Sequence, residues 1–287
     1  MHESIIHDTE NIPENGRAFL EKLRARESID ASARVAVVVA HPDDESIAFG
    51  AQLSRFPGSM MIHVTDGAPT DPKEWKQKGF ETQGQYRDTR SHELNTALDI
   101  AGHTGLRTSL GLSDQEASFR LAENAKRLAE LFVKHNTKFV LTHSYEGGHP
   151  DHDATAFAVH AAKRLMEKEG LNLEIIEAPL YRGGTSGSIW QSFVPSQDTE
   201  TFKLQLTEED RHLKEKLFEA HKSQSETFPK VSITEEWLRE APNYDFTKAP
   251  NEGVLSRIFT TAGITNEKWL ELTTTAEEAL GFKKSTS

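Results

Sequence analysis

Apolar runs that stop abruptly in polar clusters recur along this chain, and segments with helical spacing separate them. Val35 to Ala40 are all Val or Ala, as expected of a strand buried on both faces. The run ends in His41-Pro42-Asp43-Asp44-Glu45, and Pro42, which cannot donate to a ladder, supports a boundary there. Met60–Thr65 is a second run, ending in Asp66-Gly67. Phe139–Thr142 is a third, followed by polar residues from His143 to His152, and Leu173–Ala178 is a fourth. Helical spacing covers Ile12–Ile29 (Phe19, Leu20, Leu23), Tyr86–Ala101 (Leu94, Ala97, Leu98) with Gly102 as its stop, and Ser118–His135 (Leu121, Ala125, Leu128, Phe132). It also covers the stretch up to about Glu169, where Ala154, Phe157, Ala158, Ala161, Ala162 and Leu165 form a stripe. Ser46–Leu53 reads as a short helix. This alternation predicts an α/β fold with a doubly wound, mostly parallel sheet.

Elsewhere the pattern is weaker. Ala68–Gly84, with Pro69, Pro72 and Gly79, reads as a long loop of the kind that usually has a function. Gly111-Leu112-Ser113-Asp114 reads as a turn, and Gly183, Gly184 and Gly187 mark another loop. Thr207-Glu208-Glu209-Asp210 has the form of a helix start with an acidic first turn, opening a helix to about Lys222. The proline-interrupted stretch Glu226–Asn251 reads mainly as loop, and Phe282–Ser287 as a frayed tail. No internal repeat or low-complexity segment is present.

Composition narrows the chemistry. The 287 residues contain no cysteine, so disulfides and thiolate metal sites are excluded and His, Asp and Glu are the available ligands. No apolar run approaches the ~20 residues of a membrane span. The stretch Met1–Thr9 has no secretory character, so the cytoplasm is the expected compartment. A formal charge of −12 without a basic block argues against a nucleic-acid partner.

Two clusters, His41-Pro-Asp-Asp44 and His149-Pro-Asp-His152, each follow a predicted strand, where open α/β sheets bind ligands. In each, the first and last side chains are three residues apart around a proline-initiated turn and can converge. Two imidazoles and a carboxylate suit Zn²⁺ with one position open to water. His63, His92, His103, His135, His160 and His212 read as surface or hydrogen-bonded core residues.

Ala40-His-Pro-Asp-Asp-Glu45 together with Gly148-His-Pro-Asp-His152 resembles the PIG-L/LmbE-like family of zinc-dependent N-deacetylases. Arg90-x-x-Glu93-x-x-x-Ala97 resembles the helix that follows the family's second strand, and Ala220-His-Lys-Ser-Gln224 a stretch near the end of many members. The likeness covers about residues 33–225, with 226–287 as a C-terminal extension of one deacetylase domain, 1–287. It implies a Rossmann-like three-layer sandwich and one zinc per chain, with another divalent ion as the substitute. The ligands it implies are His41, Asp44 and His152. Asp43 would be the general base, His149 would stabilise the oxyanion or protonate the leaving amine, and Asp151 would orient a histidine. The expected reaction is removal of acetyl from an N-acetylglucosamine-type sugar conjugate.

Around this centre each residue carries two readings. Tyr145 either reaches the reacting centre or anchors its own loop. Glu45 either bonds a ligand or caps the next helix. Arg90 either binds an anionic or hydroxyl-rich substrate or pairs with Glu93 or Asp88. Asp66 and Asp114 either accept sugar hydroxyls or are turn residues. The pairs Trp75/Phe80 and Trp190/Phe193 either stack on a sugar or pack in the core. The rival functions are a zinc amidase for a larger amide and a non-enzymatic sugar binder, which would have no need of Asp43. A homo-oligomer is compatible with the sequence.

Overall fold

The computed structural model describes residues 12–196 and 198–282. Seven strands form one sheet: β1 (Val35–Val39), β2 (Met60–Pro69), β3 (Arg107–Asp114), β4 (Phe139–His143), β5 (Glu174–Ala178), β8 (Thr201–Gln205) and β9 (Glu235–Glu240). β6 (Tyr181–Gly184) and β7 (Gly187–Trp190) form a separate hairpin. The order in the sheet is β3-β2-β1-β4-β5-β9-β8, parallel through β5, with β9 antiparallel to both β5 and β8. The chain therefore winds one way from β1 and the other way from β4. The switch point lies between these two strands, where open α/β sheets place their ligands. The expected α/β architecture is the one observed.

β1 is buried on both faces because each face meets its own helical layer. Val35, Val37 and Val39 pack with Phe19 and Leu20 of α1 (Gly16–Arg24), Ile47 and Phe49 of α2 (Asp44–Phe49), Leu98 of α4 (Gln83–Ile100) and Leu217 of α7 (Glu208–Ala220). Ala36 and Val38 face Leu128 and Phe132 of α5 (Leu121–Lys134), Phe157 of α6 (Pro150–Lys168) and Trp269 of α9 (Asn266–Ala279). A period of two in the strand thus divides one apolar run between two cores. The acidic start read at Thr207 is a full capping box, with Thr207 and Asp210 bonding each other's backbone N–H.

Several segments depart from the sequence reading. Gly111–Asp114 is no turn but the end of β3, paired with β2 through Thr65–Leu112 and Pro69–Asp114. The Ala68–Gly84 stretch contains α3 (Pro72–Gln77), capped by Asp71. Its Trp75 and Phe80 pack with Tyr86 and Ala68 rather than facing a ligand. The glycines near 184 close the β6–β7 hairpin. α1 is shorter than Ile12–Ile29, starting after its cap Asn15 and ending at Ala25, with Arg26 in the left-handed region. The stretch read as loop after Glu226 contains β9, a full member of the sheet. Its charged residues are matched by buried partners: Lys214 Nζ lies 2.7 Å from Glu236 Oε1, and Arg239 Nε lies 2.7 Å from Glu177 Oε1. Phe282 lies under Arg164 and Lys168, and the rest of the predicted frayed tail, like Met1–Thr9, falls outside the described residues.

The C-terminal residues also build the wall of the switch point. Ser256 N–H donates to Gly147 O at 2.8 Å, and Ser256 Oγ donates to Gly148 O. α8 (Arg257–Thr261) follows directly and brings Ile258 to the cavity described below. Among the described residues no helix is long and apolar enough to cross a membrane.

Candidate active site

His41 and Asp44 follow β1, and His149 and His152 follow β4, so the two parallel neighbours deliver both H-P-D motifs to one point. α2 begins at Asp44. His149 caps α6, its Nδ1 accepting the Asp151 N–H at 3.1 Å, and Pro150 occupies the first turn, where its missing donor costs nothing. Gly148 can only be glycine, since a Cβ there would lie 1.8 Å from Tyr181 O.

Potential ligand atoms of three residues lie at similar spacing, Asp44 turning one oxygen to each histidine. His41 Nδ1 is 3.2 Å from Asp44 Oδ2 and 3.3 Å from His152 Nε2, and His152 Nε2 is 3.4 Å from Asp44 Oδ1. A tetrahedral ion with ligands at 2.0–2.2 Å separates them by roughly 3.3–3.6 Å, so the donor set fits a small divalent cation. His41 Nε2 faces outward to two carboxylates, Asp114 Oδ1 at 3.0 Å and Asp151 Oδ2 at 3.3 Å. Such partners fix the tautomer that leaves Nδ1 free to ligate. Asp44 Oδ2 also accepts the His41 backbone N–H at 2.7 Å, which sets the carboxylate plane. Among the described residues His152 has no outer partner, its Nδ1 being buried without a hydrogen bond. Its ring instead stacks on His143 at 4.2 Å and 8°.

Asp43 is held in an unusual backbone conformation, φ 142° and ψ −24°. Such a residue costs about 1–3 kcal/mol and persists only where its surroundings enforce it. Here Arg90 enforces it. Its Nη2 donates to Pro42 O at 2.6 Å and Asp43 Oδ1 at 2.9 Å, and its Nη1 donates to Gly67 O at 2.7 Å. Gly67 has φ 67°, and a Cβ there would lie 2.6 Å from the Arg90 guanidinium carbon. From the other side Glu45 accepts the Asp43 N–H at 3.1 Å and is itself held by Ser46 Oγ, His63 Nε2 and His221 Nε2.

Burial dominates the electrostatics. It pushes the Asp43 carboxyl up to about 6, against the pull of Arg90. It pulls His149 down to about 3 and His152 down to about 4. For Asp44 burial acts upward, but His152 and His41 hold the carboxyl well below the usual range. For His41 burial acts downward and is outweighed by Asp114 and Asp44, which raise it well above an ordinary imidazole.

A cavity of about 270 Å³ opens over this centre. His41, Asp43, Asp44, Arg90, Asp114, His149 and His152 line its floor, and Leu180, Tyr181, Trp190, Gln224, Lys230 and Ile258 its walls. Two sequence-predicted residues lie elsewhere. Tyr145 Oη donates to Lys248 O at 2.9 Å and accepts from Trp269 Nε1 at 2.6 Å, so it anchors the C-terminal extension. Asp66 bonds the Ala68 N–H and borders a different hollow, beyond Pro42. Asp114 is at the centre but faces His41, and at 3.7 Å from His149 Nε2 it is not within hydrogen-bond reach of that ring. Arg90 lines the cavity and gives three N–H groups to two backbone carbonyls and Asp43, which holds that loop, while its buried Nε has no hydrogen bond among the described residues.

The sequence reading missed His143 as part of the centre and left the pairing of the two weaker motifs unexplained. His143 Nε2 accepts the Ala40 N–H at 2.9 Å and tethers β4 to the start of the H-P-D-D turn. Glu93 takes Ser223 N–H and Oγ–H at 2.9 and 2.6 Å, so α4 grips both the His221–Gln224 stretch and, through Arg90, the Pro42–Asp43 loop. The only signal for this was the helical spacing of Arg90 and Glu93. Arg90→Lys is expected to lower kcat by roughly 10- to 100-fold with KM little changed, because one ammonium cannot replace the guanidinium fork. A raised KM with unchanged kcat would return Arg90 to substrate binding.

Residues 36–163 match the family model described as PIG-L: GlcNAc-PI de-N-acetylase, in agreement with the resemblance carried by the two H-P-D motifs. No curated protein matches the sequence. Among solved structures the fold is similar to the zinc-inhibited form of teicoplanin deacetylase Orf2, at 17% identity and TM-score 0.56, covering 74% of this chain and 99% of that one. It is likewise similar to the A40926 pseudoaglycone deacetylase Dbv21, at 18% identity and TM-score 0.55, covering 74% and 98%. A third similar structure is the conserved protein TT1542 from Thermus thermophilus, at 21% identity and TM-score 0.51, covering 74% and 96%. At such identities the likeness is one of fold.

Proposed function

We propose that this PIG-L-type chain is a zinc-dependent hydrolase that removes the N-acetyl group from an N-acetylglucosamine-type sugar or sugar conjugate, with His41, Asp44 and His152 as the metal ligands. The observation that carries this reading is the 3.2–3.4 Å spacing between donor atoms of these three residues beside a strained, buried Asp43. A divalent cation held there supplies Lewis-acid activation of water and of the amide carbonyl near neutral pH.

The chain's own residues do the rest. Asp43 borders the cavity and is fixed by Arg90 through one oxygen, so it is placed to take the proton of the attacking water. His149 accepts the Asp151 N–H at Nδ1, which puts its own proton on Nε2. Asp114 Oδ1, at 3.7 Å, is too far to occupy that N–H, and the ring lines the cavity, so it donates to the amide oxygen as charge develops there. Of the two roles open to His149, stabilising the oxyanion is the one this tautomer serves. Asp114 and Asp151 orient His41 from behind.

The substrate class rests on the family's GlcNAc-containing description, on deacetylation as the named activity of two similar structures, and on a cavity of sugar-ring size with aromatic and polar walls. We propose the cytoplasm as the compartment of this protein, where a chain without disulfides needs no oxidising environment to fold. A panel of N-acetylglucosamine and its conjugates, followed by released acetate and free amine, tests the reaction. Equimolar acetate and amine is the expected result. A metal-loaded protein that releases acetate from no member of the panel contradicts it.

A further inference from the structure

The wall of the catalytic cavity is shared. Trp190 and Lys230 also border a second, larger cleft of about 610 Å³. Its floor is the outer face of β8 and β9, where Thr201 pairs with Arg239, and where Glu235, Trp237 and Arg239 alternate with the inward-facing Glu236 and Leu238. Its other side is the segment from Trp190 to Ser196. None of these residues lies within the family match of 36–163, and none belongs to the catalytic centre.

The composition of the cleft is specific. Three half-buried rings, Trp190, Phe193 and Trp237, stand among the hydroxyls of Ser192, Thr201 and Ser232. Each ring is steadied by a cation: Arg239 over Phe193 at 4.0 Å, Lys203 over Trp237 at 4.8 Å and Lys230 over Trp190 at 5.4 Å. An apolar chain would take the Ser192 and Thr201 hydroxyls and the Lys230 ammonium out of water, which is costly. A pyranose ring matches both features, with an apolar C–H face for the rings and a rim of hydroxyls for the polar groups.

We propose that this cleft is a subsite for a second sugar ring attached to the acetylated one, with Trp237 as its platform. The linkage between the rings would then pass Trp190 and Lys230. The inference rests on the deacetylase reading for its substrate, and its test separates the two. Acetate release is compared for N-acetylglucosamine and for a panel of disaccharides in which it is α- or β-linked to a second pyranose. Binding of the corresponding deacetylated sugars, which cannot turn over, is measured by calorimetry.

The wild type is expected to favour at least one disaccharide by about tenfold or more in kcat/KM, and Trp237→Ala to remove most of that ratio through KM, with Trp237→Phe retaining it. Phe193→Ala, a second probe of the same cleft, should lower the ratio as well. A ratio near one in the wild type, or one that neither alanine variant changes, overturns the subsite and leaves the deacetylase reading in place. Tryptophan-dependent preference in binding without any acetate release upholds the subsite and overturns the deacetylase reading. Neither binding preference nor acetate release overturns both.

Discussion

Asp43→Asn is expected to keep its metal and to lose roughly 10²- to 10⁴-fold in kcat, the range for a removed general base. The substitution is close to silent structurally. Asparagine retains an oxygen for Arg90 Nη2 and the backbone N–H for Glu45, and it has the shape of the aspartate it replaces. What it loses is the capacity to take a proton. Asp44, one residue on, should behave differently, because its two oxygens meet His41 and His152. Asp44→Ala should lose metal and activity together. Full activity in Asp43→Asn, or loss of metal from it, would mean that the two aspartates have the opposite roles.

His41→Ala combined with His152→Ala is expected to abolish metal binding and acetate release together, from about one ion per chain in the wild type to background. Two of the three donors disappear, and the remaining carboxylate cannot hold a catalytic ion by itself. The change also releases Asp114 and Asp151 from His41, so folding is checked by far-UV circular dichroism on the same sample. Metal content equal to wild type in this folded double variant would place the ion elsewhere, for example among Asp114, His149 and Asp151, whose donor atoms are also close together.

Much of this was legible in the residues, for physical reasons. β1 and β4 lie inside the sheet with helices on both faces, so β1 is apolar throughout and β4 as far as Leu141. The H-P-D motifs were legible because the proposed metal site would need a particular residue type at each ligand position, whatever surrounds it. β9 was not legible, since Glu236 and Arg239 break its apolar pattern. Their partners Lys214 and Glu177 are supplied by α7 and β5, far away in sequence. β3 was misread for a related reason. It is an edge strand with exposed positions and a glycine, which resembles a turn until its pairing with β2 is known.

The centre itself shows the same division. Ligand candidates are marked by type and spacing, whereas orientation is fixed by contacts across tens of residues. Arg90 had a plausible local partner in Glu93 and in fact bonds Gly67, Pro42 and Asp43. Asp66 lies inside β2 and Asp114 at the end of β3, both where the sequence suggests polar turns, and only Asp114 reaches His41. Tyr145 sits within the polar run after β4, but the C-terminal extension claims its hydroxyl through Trp269 and Lys248.

The central claim is that a metal held by His41, Asp44 and His152 makes this chain a deacetylase. The most direct measurement strips the protein with a chelator, adds zinc back in fractions of an equivalent, and follows bound metal and acetate release on the same sample. The account predicts a rate that rises with occupancy, reaches its maximum near one ion per chain and is absent from the His41→Ala, His152→Ala protein. Full acetate release by metal-free wild-type protein would contradict it.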